Sequence, residues 1–217
     1  MEKLDYFYEK INGYYFGIIA FLINLFSITI AQVLYIEAEP NFSMCSNFIS
    51  DLGAGPNRSD IFFNIGLIFT GISIMPFFVY IGWYLQKRQT SNSIIIGMIA
   101  GLIGSIGMIL VGIFPLDPND HFSYNMHIIS AGILFYGVLI MLLFYGIFEY
   151  RQREISNILS FLALATAGLY GAFITSLIIQ YLVSIPFQAY TYILEWIGWY
   201  SAGIWVIAHV YYTHKNK

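Results

Sequence analysis

The chain has 217 residues, of which 59% are hydrophobic and only 10% are charged, whereas about a quarter of the residues in an average soluble domain are charged. This composition excludes an ordinary water-soluble fold. The formal net charge of −3 at pH 7 is small and the basic residues form no dense stripe, so nucleic acid is not an expected partner. The single cysteine, Cys45, cannot form a disulfide within the chain.

Six apolar segments are each long enough to cross a membrane, because a helix needs about 20 residues to span about 30 Å of hydrocarbon. The predicted helices cover residues 14–36, 61–85, 94–116, 124–148, 155–185 and 192–212. The first is expected to be retained rather than cleaved as a signal peptide, since the residues before it mix acidic and basic side chains. We therefore predict an all-α integral membrane protein whose single domain, residues 1–217, is a bundle of six transmembrane helices.

Helix ends are indicated by capping and breaking residues. Asp60, Ser123 and Thr191 are predicted N-caps of the second, fourth and sixth helices. Pro115 and Pro118 are expected to end the third helix, since proline cannot continue a helix from within.

The orientation follows from the basic residues, because short cytoplasmic loops carry an excess of Lys and Arg. All but Arg58 lie on one side of the predicted bundle: Lys3, Lys10, Lys87, Arg88, Arg151, Arg153, Lys215 and Lys217. This distribution predicts that both termini are cytoplasmic and that the longest loop, residues 37–60, lies outside. We expect a multi-pass protein of the plasma membrane.

The third helix carries a face of small residues at Gly97, Gly101 and Gly104. Such a face lets another helix approach closely. We interpret it as tight packing inside the bundle, and a contact with a partner molecule is the alternative.

The outer side collects acidic residues and histidines, which are common ligands of divalent metals and common acid/base groups. The candidate binding residues are Asp117, His121 and Glu195, although Glu195 also lies where a helix dipole favours a negative charge. His127 is expected one turn inside the fourth helix, where an ionisable side chain is costly and often functional. Closely spaced ligands of the H-E-x-x-H type do not occur, so the cofactor is unknown and a divalent metal is one possibility.

The outer loop contains Ser50 and Asp51 before a glycine-rich stretch that could fold back over the bundle mouth. As a catalytic set, Asp51 would be a base or ligand beside the Ser50 hydroxyl, and both would meet His127. Alternatively, Ser50 and Asp51 cap a local turn, as these residue types often do. Asn41 and Asn57 begin two N-glycosylation sequons, which could be used only on an outer face.

The predicted membrane interior contains uncharged polar residues such as Asn24, Asn64 and Gln180. An ion-coupled transporter normally needs charged groups near the midplane, and none is predicted there. His209 is predicted to anchor the cytoplasmic interface.

Two groups of motifs resemble a mainly archaeal and bacterial membrane family catalogued as domain of unknown function 998. The first group is Phe48-Ile49-Ser50-Asp51-Leu52-Gly53-Ala54 with Pro56, followed by Phe63-Asn64-Ile65-Gly66-Leu67 and Gly71. The second is Gly112-Ile113-Phe114-Pro115 with Asp117, followed by His127, Ala131 and Phe135. The resemblance covers most of the chain and implies a topology, but the family has no settled activity to carry over.

Shorter motifs around Ser50-Asp51 and His127 are similar to those of the Frag1, DRAM and Sfk1 group of six-helix membrane proteins, which implies a lipid-handling site at the outer mouth. Membrane hydrolases of the alkaline ceramidase type are similar in placing Ser, Asp and His near one face. They have seven helices and paired histidines one turn apart, which this sequence lacks.

The leading hypothesis is a membrane protein that binds or modifies a lipid or lipid-linked headgroup at its outer face. A non-enzymatic subunit or structural component of a membrane complex is the first alternative. A facilitative channel or carrier for a neutral solute is the second, since such transport needs no buried charge.

Overall fold

The computed structural model describes residues 2–152 and 154–216, with side chains from residue 4 onwards. Arg153 and Lys217 therefore lie outside the described residues, as does the side chain of Lys3. The helices are α1 (Glu2–Lys10), α2 (Tyr14–Ala38), α3 (Ser59–Arg88), α4 (Asn92–Ile113), α5 (His121–Arg151), α6 (Asn157–Val183) and α7 (Ala189–Lys215). A short 3₁₀ helix, Ile49–Ala54, lies in the loop between α2 and α3.

The boundaries of the six predicted helices differ from those of α2 to α7 by at most about three residues. The predicted N-caps were wrong, because Asp60, Ser123 and Thr191 all lie inside helices. Asp120 caps α5 instead, and its carboxylate accepts hydrogen bonds from the first-turn amides. The third predicted helix ends earlier than expected, at Ile113, since the residue before a proline disfavours helical backbone.

Five helices of the described chain, α2 to α6, are long and apolar enough to cross a membrane. The protein is thus an all-α, multi-pass membrane protein. The last helix, α7, is equally long but contains Glu195, His209 and many tyrosine and tryptophan residues. A sixth crossing by α7 and the cytoplasmic location of both termini remain predictions.

The six long helices form a closed ring. Each packs against the next in chain order, and α7 packs against α2, although less extensively than α2 packs against α3. We call the end of the ring that carries Tyr14, Lys87 and Tyr212 the basic end. There Tyr14 contacts His214, and the Tyr212 hydroxyl donates to the Glu154 carbonyl. The acidic end is the opposite one, where the 3₁₀ helix and the turn from α4 to α5 lie.

The tightest helix contact joins α4 and α5, where glycines bring the two backbones together. A Cβ atom on Gly107 would lie 2.4 Å from the Leu134 amide nitrogen, and one on Gly137 would lie 2.6 Å from that of Gly104. The predicted small-residue face takes part in the same contact, since Gly97, Gly101 and Gly104 all lie against α5 side chains or backbone. This placement agrees with packing inside the bundle, the first of the two interpretations.

The sequence did not predict α1, which packs beside the basic end of α3. The Asp5 carboxylate accepts a hydrogen bond from Trp83 Nε1 at 2.9 Å and forms an ion pair with Lys87 at 2.7 Å. The buried Tyr8 hydroxyl donates to the Pro76 carbonyl at 2.7 Å. These three contacts of Asp5 and Tyr8, which lie within one turn of α1, hold α1 against α3.

Candidate functional site

The loop between α2 and α3 folds against the acidic end of the ring, where its 3₁₀ helix contacts α2, α3 and α7. Its residues Ile49 and Leu52 are buried. The Ile49 amide donates to Glu195 Oε2 at 2.7 Å, and Trp196 Nε1 donates to the Asn47 carbonyl at 2.9 Å. We call this segment, residues 47–54, the lid. Glu195 and Trp196 attach the lid to α7.

Asp51 stabilises the lid from within. Its carboxylate accepts hydrogen bonds from the Phe48 amide at 3.0 Å and from Asn47 Nδ2 at 3.3 Å. Burial raises the pKa of the Asp51 carboxyl above its ordinary value, and these two hydrogen bonds partly oppose that shift. Ser50 is half-buried beside it. These are the contacts that a turn-capping role predicts.

His127 is buried between α4 and α5. Its Nδ1 lies 2.8 Å from the Phe114 carbonyl oxygen. A carbonyl can only accept, so Nδ1 carries a proton and the neutral ring would offer Nε2 as an acceptor. His127 thereby ties the start of α5 to the end of α4.

The other candidate residues lie in the turn from α4 to α5. Asp117 accepts hydrogen bonds from the backbone and side chain of Asn119, and His121 is exposed at the first position of α5. Across residues 2–152 and 154–216, no hydrogen bond joins Asp51 to His127, and no three metal-ligating side chains cluster. A catalytic set of Ser50, Asp51 and His127, and a binding set of Asp117, His121 and Glu195, both stay predictions.

A cavity of about 80 Å³ lies inside the ring, at mid-height of the helices and below the lid. All six long helices line it. The lining is almost wholly aliphatic and aromatic, and it comprises Ala20, Phe21, Asn24, Thr70, Ile74, Phe78, Met108, Leu134, Val138, Met141, Leu142, Tyr170, Trp199, Ala202, Gly203, Trp205 and Val206. No ionisable carboxyl, amine or imidazole occurs among these described lining residues.

Three polar atoms of the lining residues have no hydrogen-bond partner in the described protein: Asn24 Nδ2, Thr70 Oγ1 and Trp205 Nε1. Thr70 is 4% exposed and Trp205 is 1% exposed. The Asn24 amide is oriented by Trp199, whose Nε1 donates to Asn24 Oδ1 at 2.9 Å. Each of the three atoms can donate a hydrogen bond. Three of the residues that line the apolar cavity thus carry a buried polar atom without a partner in the described protein.

The cavity is only partly enclosed. Apart from Met108, its partly exposed lining residues all belong to α2 and α7: Phe21, Asn24, Ala202, Gly203 and Val206. The least covered part of the cavity wall is therefore the α2–α7 seam, which is also the least extensive contact between neighbouring long helices.

The sequence missed a second buried polar group near the basic end. Glu149 of α5 is 0% exposed and its Oε1 lies 2.7 Å from Nε2 of His209, which is 2% exposed. The prediction that His209 anchors the cytoplasmic interface was wrong, because its imidazole is buried inside the bundle. Glu149 was missed because the predicted fourth helix stopped at residue 148. The available signal was that Glu149 follows Tyr145 by four residues, so the two side chains would share one face of a helix that continues past residue 148.

Comparison with curated proteins and with solved structures gave no significant match. The model of a protein family of unknown function, DUF998, matches residues 18–212. That match covers most of α2 and α7 and all of the chain between them, and it confirms the resemblance seen in the motifs of the lid and α3. The chain therefore belongs to the DUF998 family of membrane proteins.

Proposed function

We propose that the protein binds a neutral, lipid-like amphiphile in the central cavity. The observation that carries the proposal is the combination of an apolar lining with the unpartnered donors Asn24 Nδ2, Thr70 Oγ1 and Trp205 Nε1. A buried donor without a partner costs about 1–3 kcal/mol by mutational measures. A ligand with an oxygen acceptor would remove that cost.

The chemistry of the lining selects the ligand class. A charged ligand would have to leave water for a site without a counter-charge, which is strongly unfavourable. All three free groups can donate, and two of them, the indole and the amide nitrogen, cannot accept. We infer a ligand with an ester, ketone or alcohol oxygen and an apolar chain.

The ligand would come from the bilayer. The seam between α2 and α7 opens the cavity sideways, where an acyl chain could extend past Phe21 and Gly203. The acidic end is closed above Tyr170 by contacts between Phe135, Phe173 and Phe48 of the lid. In this proposal the outer-face residues Asp51 and Glu195 hold the lid closed. The lipid would bind in the cavity and not at these residues.

A carrier for a neutral solute is less well supported. Such a passage should also reach Asn64 and Gln180, but neither residue lines the cavity. Asn64 donates to the Gly53 carbonyl in the lid, and Gln180 accepts from the Gln188 amide in the turn before α7. Both side chains stabilise the acidic end.

Quenching of tryptophan fluorescence tests the proposal, since Trp199 and Trp205 both line the cavity. Purified protein in lipid nanodiscs is titrated with the methyl ester of a dibrominated stearic acid, whose bromines quench tryptophan at short range. We expect saturable quenching in the wild type and in Ile204→Phe, which changes an exposed residue of α7. Val206→Phe, which fills the cavity, should abolish the saturable component. Equal quenching in both variants would disprove a cavity site.

A further inference from the structure

The short helix α1 has one side that packs on α3 and another that is exposed and apolar. Asp5 and Tyr8 make the contacts with α3. Away from these contacts, Tyr6, Phe7 and Ile11 are 63%, 40% and 47% exposed. Three large apolar side chains lie close together on or just after a helix of nine residues. Such a cluster favours an apolar or interfacial environment over water.

The other exposed side chains make α1 amphipathic. Glu9 follows Phe7 by two residues and therefore lies about 200° around the helix, on the opposite side. Lys10 lies between these two sides, with its ammonium 4.4 Å from the centre of the Tyr6 ring. Among the described side chains, no acidic group pairs with Lys10. An apolar side, an acidic side and a lysine between them are typical of a helix that lies in a membrane interface.

The position of α1 along the bundle is that of the boundary between acyl chains and headgroups. With 30 residues, α3 is about 45 Å long. The hydrocarbon core is about 30 Å thick, so a centred α3 extends about 7 Å beyond it at each end. Asp5 pairs with Lys87, the penultimate residue of α3, and the linker residue Gly13 lies directly against the Tyr80 ring. The segment beside α1 therefore crosses this boundary.

The polar groups on the packed side of α1 already have partners in the protein. The Asp5 carboxylate accepts a hydrogen bond from Trp83 and is neutralised by Lys87. The Tyr8 hydroxyl donates to the Pro76 carbonyl. A polar group that leaves water without such partners is costly. These groups can therefore lie in surroundings of low polarity without losing hydrogen bonds.

We propose that α1 is an interfacial anchor that binds the phospholipid leaflet at the basic end of the ring. Phe7 and Ile11 lie among the upper acyl-chain carbons, and Glu9 faces water. Lys10 reaches the phosphates, which all phospholipids share. Lipid is the occupant because the apolar side continues the surface of a membrane-length helix: the Phe7 ring stacks on Phe16 of α2, with 6.3 Å between the ring centres.

A protein partner fits this side of α1 less well. A stable protein interface covers roughly 800 Å² on each partner, far more than three side chains of one short helix provide. An interfacial helix needs no such area, because its apolar side enters the leaflet by only about 5–10 Å. The contact with lipid is independent of any ligand in the central cavity.

Spin labels on opposite sides of α1 test the proposal in lipid nanodiscs. Cys45→Ser first removes the single cysteine, and Phe7→Cys or Glu9→Cys then carries a nitroxide label. Two relaxation agents are compared: oxygen, which concentrates among acyl chains, and a nickel chelate, which stays in water. Glu9 is the matched position, because it is exposed on the same helix.

We expect the ratio of oxygen to nickel accessibility to be about tenfold or more higher for the Phe7 label than for the Glu9 label, since the anchored side lies about 5–10 Å inside the leaflet. Adding Ile11→Glu places a charge on the apolar side and should lower the Phe7 ratio toward the Glu9 value. Adding Glu9→Gln instead should leave the Phe7 ratio unchanged. Ile11→Cys provides a second label position if Phe7→Cys disturbs α1.

Equal ratios at the two positions would overturn the proposal, whether both labels meet nickel in water or oxygen among the chains. A Phe7 label that is shielded from both agents would overturn it as well, because a protein surface would then cover the apolar side. An unchanged Phe7 ratio in Ile11→Glu would show that the apolar side does not hold α1 in the leaflet.

Discussion

Replacing Thr70 by valine removes one unused donor of the cavity while keeping the size and shape of the side chain. The Thr70 hydroxyl is buried and has no partner in the described protein. Burying a hydroxyl in this way costs about 1–3 kcal/mol, and threonine and valine have similar helix propensities. We therefore expect Thr70→Val to stabilise the ligand-free protein by about 1 kcal/mol, which raises the melting temperature of a chain of this length by about 2–4 °C.

The same substitution should weaken ligand binding. A ligand oxygen loses one hydrogen bond in the variant, and the variant no longer gains from satisfying a buried hydroxyl, as the wild type does on binding. Together these effects amount to about 1.4 kcal/mol, which is a factor of about ten in affinity. A dibrominated alkane, which has the same chain without the ester oxygen, should bind wild type and variant almost equally.

Melting curves and quenching titrations in nanodiscs measure both effects. Thr29→Val is the matched control, because Thr29 is exposed and its hydroxyl already donates to the Leu25 carbonyl at 2.7 Å. It should alter neither quantity for either probe. A lower melting temperature for Thr70→Val, combined with unchanged ester affinity, would refute the view that the hydroxyl is a free donor for a ligand.

Three further predictions concern the rest of the fold. Burial raises the pKa of Asp51, so protonated Asp51 stabilises the fold fully below its ordinary pKa, and this stabilisation is lost as pH rises through the raised pKa. Asp51→Asn should therefore flatten this part of the dependence of melting temperature on pH without lowering stability at neutral pH. A large loss of stability at neutral pH would contradict the capping role. Gly107→Ala should cost about 1–3 kcal/mol by overpacking, whereas Gly132→Ala should have little effect in chemical unfolding, since no atom lies within 4 Å of the added Cβ. Asp5→Asn should release α1 and speed limited proteolysis of α1. Acid should do the same to the wild type, because Lys87 holds the pKa of Asp5 below its usual range and the contact is lost as pH falls through that lowered pKa. Equal digestion rates for the wild type and Asp5→Asn would show that this ion pair does not hold α1.

Helix positions could be predicted from the sequence because a membrane-spanning helix needs a long apolar run, which is easily recognised. The ends were harder to place, since polar residues continue a helix inside the protein when they find partners there. For this reason the predicted fourth helix ended before Glu149. The first helix was missed for the opposite reason, because α1 has no continuous apolar run and is held by contacts with Trp83 and Lys87 of α3.

The cavity could not be predicted from the sequence. Asn24, Thr70 and Trp205 lie on three different helices, and each alone is an ordinary polar residue in an apolar segment. Only the closure of the ring brings them to one space. The lid was predicted as a segment, but its attachment was not, because the hydrogen bond between Ile49 and Glu195 joins residues that are distant in sequence.

The closure of the ring between its first and last helices has a consequence for biosynthesis. Helices of a membrane protein emerge in order, so α2 is made long before α7. Until α7 docks, Asn24 lacks the Trp199 indole that orients its amide and is exposed to lipid tails that offer no hydrogen bonds. The α2–α7 contact is therefore the last step of assembly. Truncation before α7 should leave a chain that inserts but keeps an open side, which quality-control proteases can recognise.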